Sequence, residues 1–365
     1  MANIEEIRTR VRLGEFEVTN GHTTDFPGSY SGYDDAWNQV KFEKKFHIDV
    51  IRLTDRDLEF DMVGIDCAIA NAFRRILLSE VPTMAVDKVF IYNNTSIIQD
   101  EVLAHRLGLI PIKVDPRLFE YRTADDTEGT PEDTVVLELK VRCKKNPNAT
   151  KDTTDPDVLY VNHKVTTNNI KWLSQGNQAA LFKDGIHPAD EDVLIAKLRP
   201  GQEIDIKMHC VKGIGKDHAK FSPVATASYR LLPEITLTQP VEGALAEQLK
   251  QCFAPGVIEI DNIDGVLCVV SVDSAVCCRC AVGCVCVLRA RVAAARKDTC
   301  SREVLRHDTI KDCVKLTRVR DHFIFSVEST GALPPDVLVT EAIKVLQAKC
   351  RRVLQELEDV DSDDQ

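Results

Sequence analysis

Apolar and polar residues alternate in Phe46-His-Ile-Asp-Val-Ile-Arg-Leu53, which sets Phe46, Ile48 and Val50 on one face, and they alternate again at Leu58, Phe60 and Met62. A period of two marks a half-buried strand, so two successive strands are predicted. The period then lengthens. Ile69, Ala72, Phe73, Ile76 and Leu77 fall at the i, i+3, i+4, i+7, i+8 spacing of an amphipathic helix, which must end before Pro82. Val86 to Tyr92 reads as a strand. Asp100 to Leu107 reads as a short helix, capped by Asp100 and stopped by Gly108 in the left-handed conformation, before an extended Leu109 to Ile112.

Between about residues 113 and 220 the pattern breaks into short alternating strands: Leu137, Leu139 and Val141; Val158 to Val161; Val193 to Leu198; Ile204, Ile206 and Met208. Acidic, Pro- and Asn-rich stretches separate them, as turns do. A helix carrying Leu245, Leu249, Cys252 and Phe253 follows, then strands at Gly256 to Ile260 and His322 to Val327. Beyond Pro335 one long stripe, Val339, Ala342, Ile343, Leu346, Cys350, Val353, Leu354 and Leu357, predicts a terminal helix. These elements make an α+β fold with a β-rich block between two mixed segments. Residues 1–45 lack sustained periodicity and read as a loosely packed arm, and 358–365 as a solvated acidic tail.

Charge narrows the function. Lys and Arg number 46 against 57 Asp and Glu, a net charge of −11 that repels a phosphate backbone, so a stand-alone duplex-DNA binder is not expected. Charged residues from Glu5 to Glu17 leave no apolar run of leader length, and no stretch is long and apolar enough to span a bilayer, so a cytosolic or nuclear chain without membrane contact is expected. Catalytic patterns are missing too. Gly213-Ile-Gly-Lys216 lacks the upstream Gly and the following Ser/Thr of a phosphate loop, and His105 alone makes no case for catalysis.

The specific signal lies in Ile69-Ala-Asn-Ala-Phe-Arg-Arg-Ile-Leu-Leu-Ser-Glu-Val-Pro-Thr-Met-Ala-Val-Asp87 and Asp100-Glu-Val-Leu-Ala-His-Arg-Leu-Gly-Leu-Ile-Pro111. These runs resemble the α-subunit family of multisubunit RNA polymerases. Lys212 to Pro223 and Ile324 to Gly331 are similar to its later blocks, so the resemblance covers most of residues 46–355. Within the family it points to the α-like subunit shared by eukaryotic RNA polymerases I and III. The polymerase II counterpart has a zinc-binding cysteine cluster in its inserted domain, whereas the insertion here has only Cys143 and Cys210.

The resemblance implies a non-catalytic assembly subunit without cofactor or metal. Its dimerisation domain, 46–112 and 229–357, would be split by an inserted domain at 113–228. It also implies a heterodimer with a smaller α-like subunit, then docking to the second-largest subunit and the other subunits of polymerases I and III, with DNA met only through the complex. Assembly would begin in the cytoplasm and end in the nucleus, in nucleolus and nucleoplasm. The partner-binding residues it implies are Ile69, Phe73, Arg74, Arg75, Ile76 and Leu77 on the first helix, and Ala342, Ile343, Leu346, Cys350 and Leu354 on the last. Arg74 and Arg75 would pair with partner carboxylates.

Residues 266–288 depart from the family. Six Cys and eight Val crowd 23 positions there, where the family passes through a short turn to a block like Asp298 to Glu303. An alternative function class, a Cys-rich metal- or redox-active protein, rests on Cys268, Cys277, Cys278, Cys280, Cys284 and Cys286, but their spacing is not that of an ordered thiolate site. Val and Cys are what a GT/TG repeat encodes. A retained intron or a gene-model error, lacking family-like packing, is the favoured reading.

Overall fold

A computed structural model of the chain describes residues 4–21, 32, 36–123, 128–149, 154–264 and 286–363. The chain divides into two compact units, one of Met1–Asp49, Asp61–Cys67 and Arg230–Ile324, the other of Val50–Phe60, Ala68–Tyr229 and Phe325–Gln365. This division differs from the expected partition at residues 112 and 228. The strand Thr83–Asn94 is hydrogen-bonded along its length to Glu203–Gly213, so it belongs with the β-rich block instead of preceding it.

In the second unit an antiparallel sheet runs in the order Ile170–Leu173, Thr134–Arg142, Glu203–Gly213, Thr83–Asn94. Pairing sets Leu137 opposite Met208, Leu139 opposite Ile206 and Val141 opposite Ile204, so one face is continuously apolar. That face is buried with Leu103 and Leu107 of the helix Asp100–Gly108 and with Val165 and Ile195 of a two-stranded sheet. Cys143 and Cys210 sit in the same core, and burial pushes the Cys210 thiol up to about 12. They pack as small hydrophobes.

Two local expectations are corrected here. Gly108 does not adopt a left-handed conformation. A Cβ there would come 3.4 Å from Val86 O, an ordinary contact, so neither the backbone conformation nor the space demands glycine at this position. Pro156–Leu159 forms one helical turn, because Asp155 caps it and Pro156 holds its first position, which leaves only Tyr160–Val161 as strand.

The first unit is built on the helix Ala244–Gln251 and the hairpin of Ile258–Asp264 with Cys286–Val292. Its core gathers Leu13, Ile235, Val241, Leu249, Val257, Ile258, Val304 and Leu316. Residues 4–13 of the expected arm are not loose. Ile4–Thr9 is helical, Arg10–Leu13 pairs with Leu316 to Val319, and Leu13 is buried. Asp61 is buried in this unit, accepting from Arg296 Nη1 at 2.7 and 2.6 Å and lying 2.8 Å from His322 Nε2. Burial alone would raise its pKa, but the hydrogen bonds from Arg296 and His322 outweigh burial and hold it below the usual aspartate value.

A six-stranded sheet places Val18–Thr19, Arg10–Leu13, Val314–Ser329, Asp57–Val63 and His47–Leu53 in that order, with Val224–Leu237 also paired to Val314–Ser329. Asp57–Val63 buries Leu58, Phe60 and Met62 as its alternation requires. His47–Leu53 lies at the sheet edge with every residue exposed.

Most of the Cys/Val-rich segment lies outside the described residues. Its end does not: Cys286, Val287 and Leu288 are strand, paired with Asp264, Ile263 and Asn262.

Candidate functional site

The helix Cys67–Ser79 has a small-residue first turn and no β-branched run, and it stops two residues before Val81-Pro82, where proline disfavours helix in its predecessor. Its stripe is split. Ile76 and Leu77 are 2% and 1% exposed and therefore serve the chain's own core, as does Ala342, at 0%, on the last helix. This corrects the expectation that all three face a partner: a 100°-wide apolar stripe carries both an inward and an outward edge, and these three lie on the inward one. Ile69 is exposed and Phe73 half-buried.

The two arginines also differ. Arg74 donates from Nε and Nη2 to Asn71 Oδ1 at 3.0 and 2.9 Å, one turn back, and is half-buried. Arg75 is exposed, and its side chain makes no hydrogen bond or ion pair among the described residues. It is the freer of the two to meet a carboxylate.

The glycines of Lys212 to Pro223 position this helix. A Cβ on Gly215 would fall on Leu78 O, and one on Gly213 would collide with the Phe221 ring, while Lys216 N donates to Ser79 O at 2.8 Å. The Gly-x-Gly is a packing device against the helix end.

The last helix runs Pro335–Asp363, about 44 Å at 1.5 Å per residue, and continues through most of the expected acidic tail. Its start is anchored. Pro335, Leu338 and Ala342 are buried, and Arg117 Nη1 lies 3.3 Å from Glu341 Oε1. Hydrogen bonding to Arg117 also holds the Asp115 carboxyl below its usual range. Ile343 and Leu346 are half-buried. From Gln347 to Asp359 every side chain is exposed, although Cys350, Val353, Leu354 and Leu357 continue the apolar stripe, with Leu354 60% exposed. Lys349 reaches Glu80, just past the end of the first helix, at 2.5 Å, which brings the two helical faces to one part of the unit.

Two groups of exposed apolar residues escaped the sequence-based site. Val353 and Leu357 lie on the stripe, and their helical spacing was signal enough. Val50, Ile51 and Leu53 belong to the edge strand, whose alternation implied a buried face. A sheet edge exposed on both faces presents unpaired backbone groups as well as apolar side chains, an arrangement that soluble chains keep when another surface covers it. Among the described residues no grouping of three or more His, Cys, Asp or Glu has the geometry to hold a metal ion. No helix of the described residues is long and apolar enough to cross a membrane.

The chain is 64% identical over 361 residues to the DNA-directed RNA polymerases I and III subunit RPAC1 of Mus musculus, covering 99% of this chain and 98% of that protein. It is 63% identical to the Homo sapiens protein of that name over the same shares, and 48% identical to that of Saccharomyces cerevisiae, over 91% of this chain and 93% of the yeast protein. Residues 59–350, which contain both helical stripes up to Cys350, match the model of the RNA polymerase Rpb3/Rpb11 dimerisation domain, and the chain belongs to that family.

Proposed function

We infer that this chain is the non-catalytic assembly subunit shared by DNA-directed RNA polymerases I and III. It pairs with a smaller α-like subunit, and the pair then docks the second-largest subunit. Family membership and near full-length identity to relatives named as that subunit support this reading. The observation that carries the pairing surface is the last helix, exposed from Gln347 to Asp359 along an unbroken apolar stripe. Burying Val353, Leu354 and Leu357 would contribute roughly 1.5 to 3 kcal/mol each, before the entropy of association.

Ile69, Phe73, Arg74 and Arg75 supply the second side of the pairing surface, with Ile343, Leu346, Cys350 and Leu354 facing them across the partner. The polymerase chemistry resides in other subunits. The chain works in the nucleus, nucleolus included, after assembly in the cytoplasm. The metal- or redox-active alternative rests on cysteines that lie outside the described side chains, and nothing in the family assignment favours it.

Co-expression with the smaller α-like subunit, followed by sedimentation velocity, tests the pairing. A 1:1 heterodimer is expected, and Phe73→Asp should weaken it by at least 2 kcal/mol by setting a charge among apolar contacts. Unchanged pairing of that variant would remove the first helix from the interface.

A further inference from the structure

The outward face of the four-stranded sheet in the second unit belongs to none of the surfaces above. Cross-strand pairing fixes its rows: Lys171, Glu138, Lys207 and Phe90 form one, which is partly open to solvent, whereas in the next, Leu173, Val136, His209 and Lys88, both Val136 and His209 are buried. Adjacent strands lie about 4.8 Å apart, so each row spans about 14 Å. Phe90 is 40% exposed and Tyr92, two residues along the same strand, 70%. Lys88, Lys171 and Lys207 make no ion pair among the described residues, whereas Lys140 on this face is paired with Asp205.

We propose that this face is a binding platform for single-stranded RNA, with Phe90 and Tyr92 stacking bases and Lys88 and Lys207 taking the flanking phosphates. An exposed aromatic pair beside unpaired cations on an antiparallel sheet is the arrangement that splayed bases and a phosphate backbone require. Phe90 is held in place by His209, at 4.8 Å between ring centroids and 60° between planes. His209 is 8% exposed, and its Nδ1 has no hydrogen-bond partner among the described residues. Burial first, then the cations Lys207, Arg122 and Lys88, keep its pKa below the ordinary histidine value, so this corner is positive without it.

Glu138 weakens the field between Lys171 and Lys207, which leaves the Lys88, Lys207, Phe90 and Tyr92 corner as the anchor. The rest of a chain of net charge −11 repels phosphate and so confines binding to this corner. An extended peptide added to the sheet edge fits less well. The strand Thr83–Asn94 carries two bulges, with Asp87 and Tyr92 as the extra residues, and these break the regular ladder that strand addition needs. The choice of RNA over DNA rests on the polymerase reading, since a transcript leaves its enzyme single-stranded.

The test is fluorescence anisotropy of the full-length chain with labelled (U)12 RNA at 0.15 M salt, beside a duplex RNA of equal length and poly-glutamate as competitor. Micromolar binding to (U)12 is expected, with duplex at least tenfold weaker. Y92A should weaken binding roughly 5- to 100-fold, as loss of one stacked base does, and F90A/Y92A by more. K88E/K207E should lower the slope of log K against log salt by about 1.4. Y92A removes an exposed ring and keeps the test valid if the double variant misfolds. No binding to (U)12, equal binding of duplex, affinity unmoved by Y92A, or displacement by poly-glutamate without stacking dependence would each overturn the proposal. Sedimentation with the small partner subunit reads the pairing surface independently, so failure of one reading does not mimic failure of the other.

Discussion

From Pro335 to Ala342 the last helix buries Pro335, Leu338 and Ala342, whereas from Gln347 to Asp359 the same stripe stands wholly in solvent. Both halves have the same period and similar residues. What differs is the surface opposite: the first half has its own unit to pack on, and the second has none among the described residues. The two edges of the first helix repeat the contrast, with Ile76 and Leu77 inward and Ile69 and Phe73 at the rim. Amphipathic spacing reports that a face will be covered. It does not report by which molecule.

Charge placed at matched positions separates the two cases. Leu77→Asp should cost about 4 kcal/mol or more of folding stability, because an unpaired carboxylate enters a packed core, and thermal unfolding of the chain alone would reveal it. Leu354→Asp should leave that melting temperature within about 2 °C while abolishing partner binding in sedimentation. A comparable loss of stability in both variants would erase the distinction between the halves.

The core polar triad offers a second contrast, a buried pair against a surface one. Asp61→Asn leaves Arg296 short of its counter-charge and should cost about 3 kcal/mol. Because the folded-state pKa of Asp61 lies below its unfolded value, its contribution is present above about pH 4 and is lost as pH falls through the folded pKa. In the parent, urea unfolding should therefore weaken below pH 4, and in Asp61→Asn the acid slope should be shallower.

Joining Asp264 to Cys286 by Asn-Gly in place of residues 265–285 closes the hairpin through a two-residue turn. It should stabilise the chain by up to about 2 kcal/mol from loop closure and leave partner binding intact. Loss of the heterodimer would give those residues a structural role. The smallest effect belongs to Lys349→Ala, which removes an ion pair to Glu80 that is partly open to water. A change below about 1 kcal/mol is expected in the melt, and a larger one would mean that the exposed half of the helix is anchored.

Much of the fold was legible. Leu58, Phe60 and Met62 alternate because their strand has a core on one side, and the helix at Pro335 carries a recognisable start, whereas Asp100 is the first residue of its helix and not its cap: the N-cap is Gln99, without a side-chain hydrogen bond. The edge strand His47–Leu53 was misread because alternation gives a face and not its cover. Gly108 was misread because glycine after a helical run is a common left-handed stop, whereas here the helix runs through it to a right-handed cap at Leu109. The Asp61, Arg296 and His322 cluster joins residues up to 261 apart, which no local pattern announces. The bulge that sets Tyr92 outward depends on a partner strand more than a hundred residues away. For the site, the two helices were readable, but the split between core and rim within each stripe was not.

The pairing of Arg10 to Leu13 with Leu316 to Val319 has a consequence in time. Roughly 300 residues separate the two strands, so at about 5 to 20 residues per second the first waits some 15 to 60 s on the ribosome for the second. Arg10 to Leu13 is thus made long before it can find its place. A nascent chain so arranged holds its sheet open until Val314–Ser329 has emerged, and premature termination between the two strands leaves a product that cannot close it.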